Sequence, residues 1–348
     1  AVLMVKEYGI RFPIEISGEE KIASSAPESL PESSESPEPE NSEIPVTMLF
    51  GGDVYLSSYV LSSYDSSGGI SGNLCENYRE LIERSDFFIV NEEFPMSERG
   101  SAEDDKEFTF RVSPERVNIL KEMGVDAVTL ANNHVLDFGR DALEDTIAAL
   151  NGAGIAHTGA GENTEEASKA VIWEKDGRRI AVLGATRVMP FSDWAAGKQS
   201  AGVFPAYDAY KSKLLNKIAE LSETCDYVIV YIHWGTEKKE EPDTYMRELA
   251  KELVSSGADL IVGAHPHVLQ GTEYVGGVPV VYSLGNFLFG SSIPRTMLLE
   301  VKWYPDTGRS ELKLYPGSSA SGYTKSITDS AQRQEFFNYY ENMSYGIS

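Results

Sequence analysis

Short apolar runs and amphipathic helical patterns alternate along most of the chain. Runs of β-branched, aromatic and other apolar residues predict buried strands, and apolar residues spaced three and four apart predict helices. The predicted strands lie near residues 48–50, 87–90, 108–112, 126–130, 227–232, 260–262 and 278–283, and the predicted helices near 74–84, 114–123, 140–153, 211–223, 245–256 and 331–340. Hairpin patterns at 170–183 and 297–315 interrupt this order, and the Ser- and Gly-rich stretch 62–72 predicts a loop. The mixture predicts a layered α/β body with mixed sheets.

Five of the apolar runs end in polar side chains that can bind a metal ion. These side chains are Asp53, Glu93, Asn133 with His134, His233, and His265 with His267. In α/β folds, ligands bind beside the carboxyl ends of the strands. The repetition over five runs therefore predicts one shared site at that edge.

The chemistry of these side chains favours a metal centre. A lone histidine is usually a satisfied structural residue, but four of the five histidines of this chain lie at strand ends beside carboxylates. Imidazole and carboxylate donors without a thiolate suit divalent Mn, Fe or Zn. The two cysteines, Cys75 and Cys225, form no metal or disulfide framework and are interpreted as buried free thiols.

The charge balance narrows the classes of partner. The 348 residues include 54 acidic and 30 basic side chains, for a net charge of −24. This excess argues against nucleic acid or an anionic membrane surface as a main partner. An anionic substrate must therefore be attracted by something local, such as a metal ion.

Composition divides the chain into three parts. Residues 1–45 form an N-terminal segment followed, from residue 17, by a Ser-, Glu- and Pro-rich stretch that predicts a disordered linker. Residues 46–316 form the predicted domain, and residues 317–348 a C-terminal extension.

The predicted linker suits a stalk that holds the domain away from a membrane or wall, although an ordinary solvated tail fits equally well. We expect a location on the extracellular face of the membrane, with an anchor upstream of this chain.

The strand-end residues belong to a series of ordered motifs. The series is Gly51-Gly52-Asp53-Val54, Asn91-x-Glu93-x-Pro95, Ala131-Asn132-Asn133-His134 with Asp137 and Gly139, His233-Trp234-Gly235, Gly263-x-His265-Pro266-His267 and Ser283-Leu284-Gly285-Asn286-Phe287. It resembles the CapA/PgsA family of poly-γ-glutamate capsule synthesis proteins, a branch of the calcineurin-like metallophosphoesterase superfamily. The resemblance covers about residues 46–289 and implies a four-layer α/β/β/α sandwich of two mixed sheets.

The resemblance also implies a site with two divalent ions. Glu93 would bridge the ions. Asn133, His233 and His265 would complete one of them, and Asp53 and His267 would hold the other. His134 would lie above the metals as a general acid or as the donor to a leaving oxygen.

Two departures from the superfamily pattern affect this assignment. Tyr55 stands where the first superfamily motif has a histidine, so one ligand of the Asp53 ion is missing. Asn91-Glu92-Glu93 replaces a Gly-Asp motif, and strand alternation implies that only one of the two glutamates points at the site. The spacing to Pro95 favours Glu93.

Two functions from different classes follow from the resemblance. In the first, the protein acts in poly-γ-glutamate synthesis or export as a metal-dependent hydrolase of a phosphoester or an amide. In the second, it is a non-catalytic polymer-binding or assembly subunit that works with membrane synthase subunits. His134 and the nearly complete Asn133 subsite favour the hydrolase, whereas the missing histidine favours the binding protein.

Three further residues are candidate neighbours of the site, and a fourth, His157, is not expected to bind metal. Arg111 is a candidate contact for an anionic group, since arginine binds carboxylates and phosphates through two hydrogen bonds. Asp137 orients the motif loop or caps the next helix, with a contact to His134 as the alternative. Asn286 orients the His265–His267 loop or touches substrate. His157 is expected to pack or hydrogen-bond within its own turn.

Overall fold

The computed structural model describes residues 44–346 and the backbone of residues 3–4 and 11–12. The strands are β1 Leu3–Met4, β2 Arg11–Phe12, β3 Val46–Val54, β4 Phe87–Glu92, β5 Ala127–Thr129, β6 Ala156–Thr158, β7 Ala160–Gly161, β8 Val171–Lys175, β9 Arg178–Thr186, β10 Gly202–Val203, β11 Tyr227–His233, β12 Leu260–Ala264, β13 Leu269–Val275, β14 Val278–Leu284, β15 Asn286–Leu288, β16 Ser292–Tyr304, β17 Arg309–Ala320 and β18 Tyr323–Ser326. The α-helices are α1 Ser58–Ser67, α2 Glu76–Glu83, α3 Val117–Glu122, α4 Arg140–Ala153, α5 Thr164–Ala167, α6 Asp208–Ser222, α7 Thr244–Ser255 and α8 Ser330–Asn342, and short 3-10 helices lie at Ile70–Gly72, Pro114–Arg116 and Ser192–Trp194.

Two large sheets carry most of the strands. The eight-stranded sheet has the order β18-β17-β16-β3-β4-β5-β6, and β15 also pairs with β3. Its strands β3 to β6 are parallel, whereas β16, β17 and β18 are antiparallel to their neighbours. The six-stranded sheet has the order β13-β14-β12-β11-β9-β8, with four parallel strands in the middle and antiparallel strands at both edges. Both sheets are mixed, which confirms the predicted α/β class.

Three buried apolar clusters arrange the sheets and helices in layers. One cluster joins the two sheets, with Met48 and Phe50 from β3 and Ile229 from β11. Because side chains alternate along a strand, Leu49 points the other way and packs with helices α1 to α4. The third cluster joins the outer face of the six-stranded sheet to α6 and α7. This order of layers is consistent with the four-layer sandwich that the resemblance implies.

Local patterns predicted several elements closely. Helix α4 has the predicted bounds, and Gly154 ends it in the left-handed conformation at φ 76°. Strands β8 and β9 form the predicted hairpin across Asp176-Gly177. Strands β16 and β17 pair as expected and extend beyond the predicted residues.

Two predicted elements were wrong. The predicted loop at 62–72 is helical up to Ser67, because Val60 is buried and Leu61 and Tyr64 pack on the core, so packing overrides the weak helix preference of serine. The predicted strand at 108–112 forms only an isolated bridge between Met96 and Val112. The other residues of that stretch, 108–111, lie in a loop.

The C-terminal residues pack against the domain. Strand β17 runs through the predicted boundary at residue 316, and β18 pairs with it. In α8, Phe336 and Tyr340 are buried in the cluster between the two sheets. Residues 317–342 therefore contribute to the same core as the predicted domain.

The N-terminal segment is described only in part. The backbone of β1 and β2 pairs antiparallel, with Leu3 opposite Phe12. Most of the predicted linker, residues 17–43, lies outside the described residues. Within the described part of the chain, no helix combines the length and apolar character that crossing a membrane requires.

Candidate metal centre

The predicted metal ligands all lie at the carboxyl ends of neighbouring strands. Asp53 is near the end of β3, Glu93 directly follows β4, and Asn133 lies in the loop after β5. From the other sheet, His233 ends β11, and His265 and His267 follow β12. All six are buried or nearly buried, so they meet between the two sheets.

Distances show that the six side chains converge. His233 Nε2 lies 2.8 Å from Asn133 Oδ1 and 3.1 Å from His265 Nδ1. His267 Nδ1 lies 3.3 Å from Asp53 Oδ2. These contacts join residues that are far apart in sequence, such as Asp53 and His267. The structure therefore brings together the whole predicted set.

Two groups of donors share Glu93. One group is Glu93, His233 and His265, and the other is Asp53, Glu93 and His267; within each group the ligand atoms lie within 4.8 Å of one another. Glu93 Oε1 is 3.6 Å from His233 Nε2 and 3.8 Å from His267 Nε2. This oxygen is buried and accepts no hydrogen bond among the described residues. A buried carboxylate oxygen between two imidazoles lacks the partner that a divalent cation would provide.

The directions in which the pKa values of these side chains shift are also consistent with a cation bound between them. Burial, with the neighbouring Asp53 charge, raises the pKa of Glu93 well above its usual range. Burial lowers the pKa of His265 to about 3, assisted by the charge of His267. Burial also opposes the charged form of His267, but Glu93 and Asp53 outweigh it and raise its pKa to about 9. Burial therefore disfavours the charged form of Glu93, and a divalent cation bound beside it would favour that form.

Glu92 points away from this centre. It belongs to none of the donor groups found among the described residues, although it is the last residue of β4 and Glu93 comes next. Both carboxylate oxygens are buried without a hydrogen bond among the described residues, and burial raises the pKa of Glu92 well above its usual range. The alternation of the strand thus selects Glu93, as the sequence predicted.

Two asparagines that the sequence analysis did not assign hold the carboxylates in place. Asn91 Nδ2 donates to Asp53 Oδ1 at 2.8 Å and to Glu93 Oε2 at 3.3 Å. Asn132 Nδ2 donates to Asn91 Oδ1 at 3.1 Å, and its own Oδ1 accepts from the backbone N–H of His134 at 3.0 Å. Both asparagines lie within the ordered motifs, and this position in the sequence could have indicated that they belong to the site. Such hydrogen bonds orient metal ligands.

His134 lies beside the centre in a separate network. Its Nδ1 is 2.7 Å from Asp137 Oδ2, which also accepts the backbone N–H of Phe110 at 2.7 Å. Burial lowers the pKa of His134, while Asp137 opposes that shift. The Nδ1 atom contacts both Asp137 and Lys106 Nζ, the latter at 2.9 Å, and these contacts leave Nε2 available to a substrate. Asp137 therefore contacts His134, and Gly139, not Asp137, occupies the N-cap of α4.

Lys106 completes this network and was not predicted. Its ammonium contacts the Asp137 carboxylate and the backbone carbonyl of Asn133, and it lies 5.4 Å from the centre of the Trp194 ring. The side chain is only 10% exposed, and burial lowers the pKa of Lys106 while Asp137 opposes the shift. Lys106 belongs to an acidic loop with no strand-end pattern, so the sequence offered no signal for it.

Aromatic rings form one wall of the site. Tyr55 stacks on Phe110 with ring centres 4.0 Å apart, and Phe110 stacks on His134 at 4.1 Å. Phe289 meets Tyr55 edge-on at 5.4 Å and lies 5.1 Å from the ring of His267. Tyr55, which replaces the expected histidine, is thus engaged in ring stacking.

Three other residues considered in the sequence analysis, Asn286, Arg111 and His157, differ in what they contact. Asn286 Oδ1 is 2.8 Å from His267 Nδ1, and its backbone pairs with Asp53, so Asn286 orients a predicted ligand. Arg111 is exposed and lies over the Phe138 ring at 4.1 Å. His157 lies in β6 and belongs to none of the donor groups found among the described residues.

The fold and the donors together define a class of protein. It is an α/β protein in which two mixed sheets bring imidazole, carboxylate and amide donors to one buried centre able to hold divalent ions. The chain belongs to the family described as "Bacterial capsule synthesis protein PGA_cap", whose sequence profile matches residues 47–291. The resemblance noted from the motifs is thereby confirmed.

Similar proteins include two from Bacillus. The chain is 33% identical over 249 residues to "PGA biosynthesis protein CapA" of Bacillus subtilis (strain 168), a match that spans 71% of this chain and 64% of that protein. It is 30% identical over 304 residues to "Capsule biosynthesis protein CapA" of Bacillus anthracis, spanning 86% of this chain and 73% of that protein. The aligned region is therefore less than two thirds of the length of the first relative.

Solved structures resemble the chain only distantly. A hypothetical protein from Thermus thermophilus is 17% identical, with a TM-score of 0.48, and the match covers 78% of this chain and 99% of that one.

Proposed function

We propose that this protein acts in the synthesis or export of poly-γ-glutamate, and that its metal centre hydrolyses a phosphoester or an amide bond. Family membership and the names of the Bacillus relatives support the pathway. The fold alone does not define a reaction, so the proposed chemistry depends on the residues of the site.

The observation that carries the hydrolytic proposal is the pair of donor groups that share Glu93. Asn133, His233 and His265 would hold one ion, and Asp53 and His267 the other. The mixed oxygen and nitrogen donors suit Mn, Fe or Zn. When bound, two such ions supply Lewis acidity and an activated water, as in metallophosphoesterases.

The chain's own residues would orient the substrate and move a proton. His134 is fixed by its 2.7 Å contact with Asp137 and by its stacking on Phe110. With the ring doubly protonated, Nδ1–H would donate to Asp137, and Nε2–H would pass its proton, or donate a hydrogen bond, to the leaving oxygen or nitrogen. Lys106 would hold the Asp137 carboxylate in position and so keep the imidazole oriented. Arg111, exposed at the rim, would bind an anionic group of the substrate.

The alternative function is binding without turnover. The observation that favours it is the stacked Tyr55 ring, since it supplies no ligand to the Asp53 ion. The protein would then bind the anionic polymer or assemble with membrane synthase subunits through its metal ions.

We further propose that the domain works on the extracellular face of the membrane. The Ser-, Glu- and Pro-rich residues 17–45 and the net charge of −24 suit an exposed position held by an upstream anchor. Protease treatment of intact cells should remove the domain, and full protection of the domain in intact cells would refute this location.

A hydrolase panel tests the proposed reaction. The purified protein should be assayed on p-nitrophenyl phosphate, bis-p-nitrophenyl phosphate and a γ-glutamyl anilide, with and without added Mn²⁺ or Zn²⁺. We expect metal-dependent turnover of at least one substrate, abolished by Glu93→Gln. Metal-dependent binding of poly-γ-glutamate without turnover of any substrate would favour the alternative.

A further inference from the structure

The aromatic wall of the metal centre contains one ring that does not pack in the core. Phe289 is half-buried, and it belongs to none of the three apolar clusters found among the described residues. The two residues before it, Phe287 and Leu288, are fully buried core residues. Phe289 directly follows them at the end of β15, so the chain leaves the core at this position. Core packing therefore does not account for the place of this ring.

Phe289 contacts other rings of the site instead. Its ring centre lies 5.4 Å from that of Tyr55 and 5.7 Å from that of Phe110, with the ring planes at 65° and 79°. It also lies 5.1 Å from the ring of His267. The backbone fixes this arrangement, because the Tyr55 N–H donates to the Leu288 carbonyl at 2.8 Å. Phe289 is thus held directly beside a proposed metal ligand.

Of these rings, Phe110 has no free face. Tyr55 and His134 stack on it with ring centres 4.0 and 4.1 Å away and with nearly parallel planes, at 18° and 21°. Two rings so close to a third fit only on its opposite faces. In the described part of the chain, no ring stacks parallel on Phe289. Phe289 is therefore the ring of the wall that is placed to receive a planar group.

The wall also joins the proposed proton donor to a proposed ligand. Phe110 contacts His134, and Phe289 contacts His267. In the proposed reaction, His134 protonates the group that leaves, so that group must lie on the side of the centre where the wall stands. The three rings of the wall carry no charge, and aromatic faces and edges favour flat or apolar partners. Apolar walls with a few polar groups are typical of sites that select their ligand by shape.

We propose that Phe289 is a specificity-determining residue that binds the leaving group of the substrate and selects an uncharged, planar one, such as an aryl ring or the plane of an amide. The proposal rests on the hydrolytic centre of the proposed function and adds a leaving-group subsite to it. The anionic part of the substrate would lie at the metal ions, away from the uncharged rings.

Substrate pairs that differ only in the leaving group test this assignment. The pairs are γ-glutamyl anilide with γ-glutamyl methylamide, and phenyl phosphate with methyl phosphate, so that either class of bond can be used. For each protein, the ratio of kcat/KM between the aryl and the methyl substrate is compared with the wild-type ratio, because intrinsic reactivity cancels in that comparison. Phe289→Ala and Phe289→Leu should lower the ratio roughly two- to tenfold, the range for a lost aromatic contact.

Two controls accompany these variants. Phe289→Tyr keeps the ring and should keep the wild-type ratio. Phe108→Ala removes a phenylalanine that is 62% exposed and makes none of the ring contacts found among the described residues, and it should also keep the ratio. Titration calorimetry of Phe289→Ala with Mn²⁺ should give the wild-type affinity, since Phe289 supplies no ligand atom.

Two outcomes would overturn the proposal, and they are distinguishable. An unchanged ratio in Phe289→Ala, with both substrates slowed equally or Mn²⁺ bound more weakly, would mean that Phe289 only supports His267, and the proposed function would stand. Wild-type protein that turns over none of the substrates would overturn the proposed hydrolysis itself, and with it the leaving-group subsite.

Discussion

At the scale of single residues, the site separates the proposed metal ligands from the proposed proton donor. His134 is adjacent to Asn133 in sequence, yet its ring is engaged by Asp137 and Phe110, whereas Asn133 contacts His233. A side chain outside the ligand set can be removed without emptying the centre. This separation allows chemistry and metal binding to be tested independently.

We expect His134→Ala to keep its metal ions and fold but to lose most of its turnover. Removing a positioned proton donor costs on the order of a hundred- to ten-thousand-fold in rate, whereas loss of one hydrogen bond in a binding protein costs about 1 kcal/mol. Metal content by elemental analysis and kcat on the best panel substrate would be measured, with His157→Ala as control. A metal-loaded His134→Ala protein with wild-type turnover and polymer output would exclude the proton-donor role.

At the scale of elements, the end of β3 and the turn between β14 and β15 must approach closely for the centre to form. The Asp53 N–H donates to the Gly285 carbonyl at 2.9 Å. A Cβ atom added at Gly52 would lie 1.8 Å from that carbonyl oxygen, so no larger residue fits there without moving the backbone. The glycine in the first motif is therefore required by strand packing beside the Asp53 ligand.

We expect Gly52→Ala to destabilise the fold by about 1–3 kcal/mol, the usual cost of overpacking, and to weaken binding of the Asp53 ion. Urea unfolding and metal titration would measure the two effects. Gly152→Ala is the matched control, because it lies in α4 with no atom near an added Cβ. That variant should gain roughly 0.5–1 kcal/mol from better helix propensity. Equal stability of the two variants would contradict the close approach of β3 and Gly285.

At the scale of the whole molecule, α8 closes the core between the sheets. Phe336 is 2% exposed and belongs to the apolar cluster that includes residues of both sheets, and the hydroxyls of Tyr340 and Thr272 of β13 share a hydrogen bond at 2.8 Å. The C-terminal helix is thus coupled to the sheet that supplies the three predicted histidine ligands.

We expect Phe336→Ala to lower the free energy of unfolding by about 3–5 kcal/mol, the range for truncating a buried phenylalanine. The exposed neighbour Asn338→Ala should change it by no more than about 0.5 kcal/mol. Denaturant titration followed by circular dichroism measures both. A Phe336→Ala protein as stable as wild type would mean that α8 contributes little to the core.

The sequence by itself determined many of the elements and most of the centre. Helix α4 and the β8–β9 hairpin follow from spacing and turn residues, which act over a few positions. Strand-end placement predicted the six side chains that converge at the candidate centre, and strand alternation with the spacing to Pro95 favoured Glu93 over Glu92, because these effects depend on local backbone geometry.

Only the tertiary structure decided which distant groups meet. Lys106 reaches Asn133 and Asp137 across 27 and 31 positions, and Glu237 approaches His267 because its loop is anchored to Pro266. No short-range sequence pattern predicts such contacts, because they depend on how the loops fold back onto the sheets. The helical state of residues 62–67 was likewise decided by burial of neighbouring side chains, which outweighs the weak preference of serine-rich sequence.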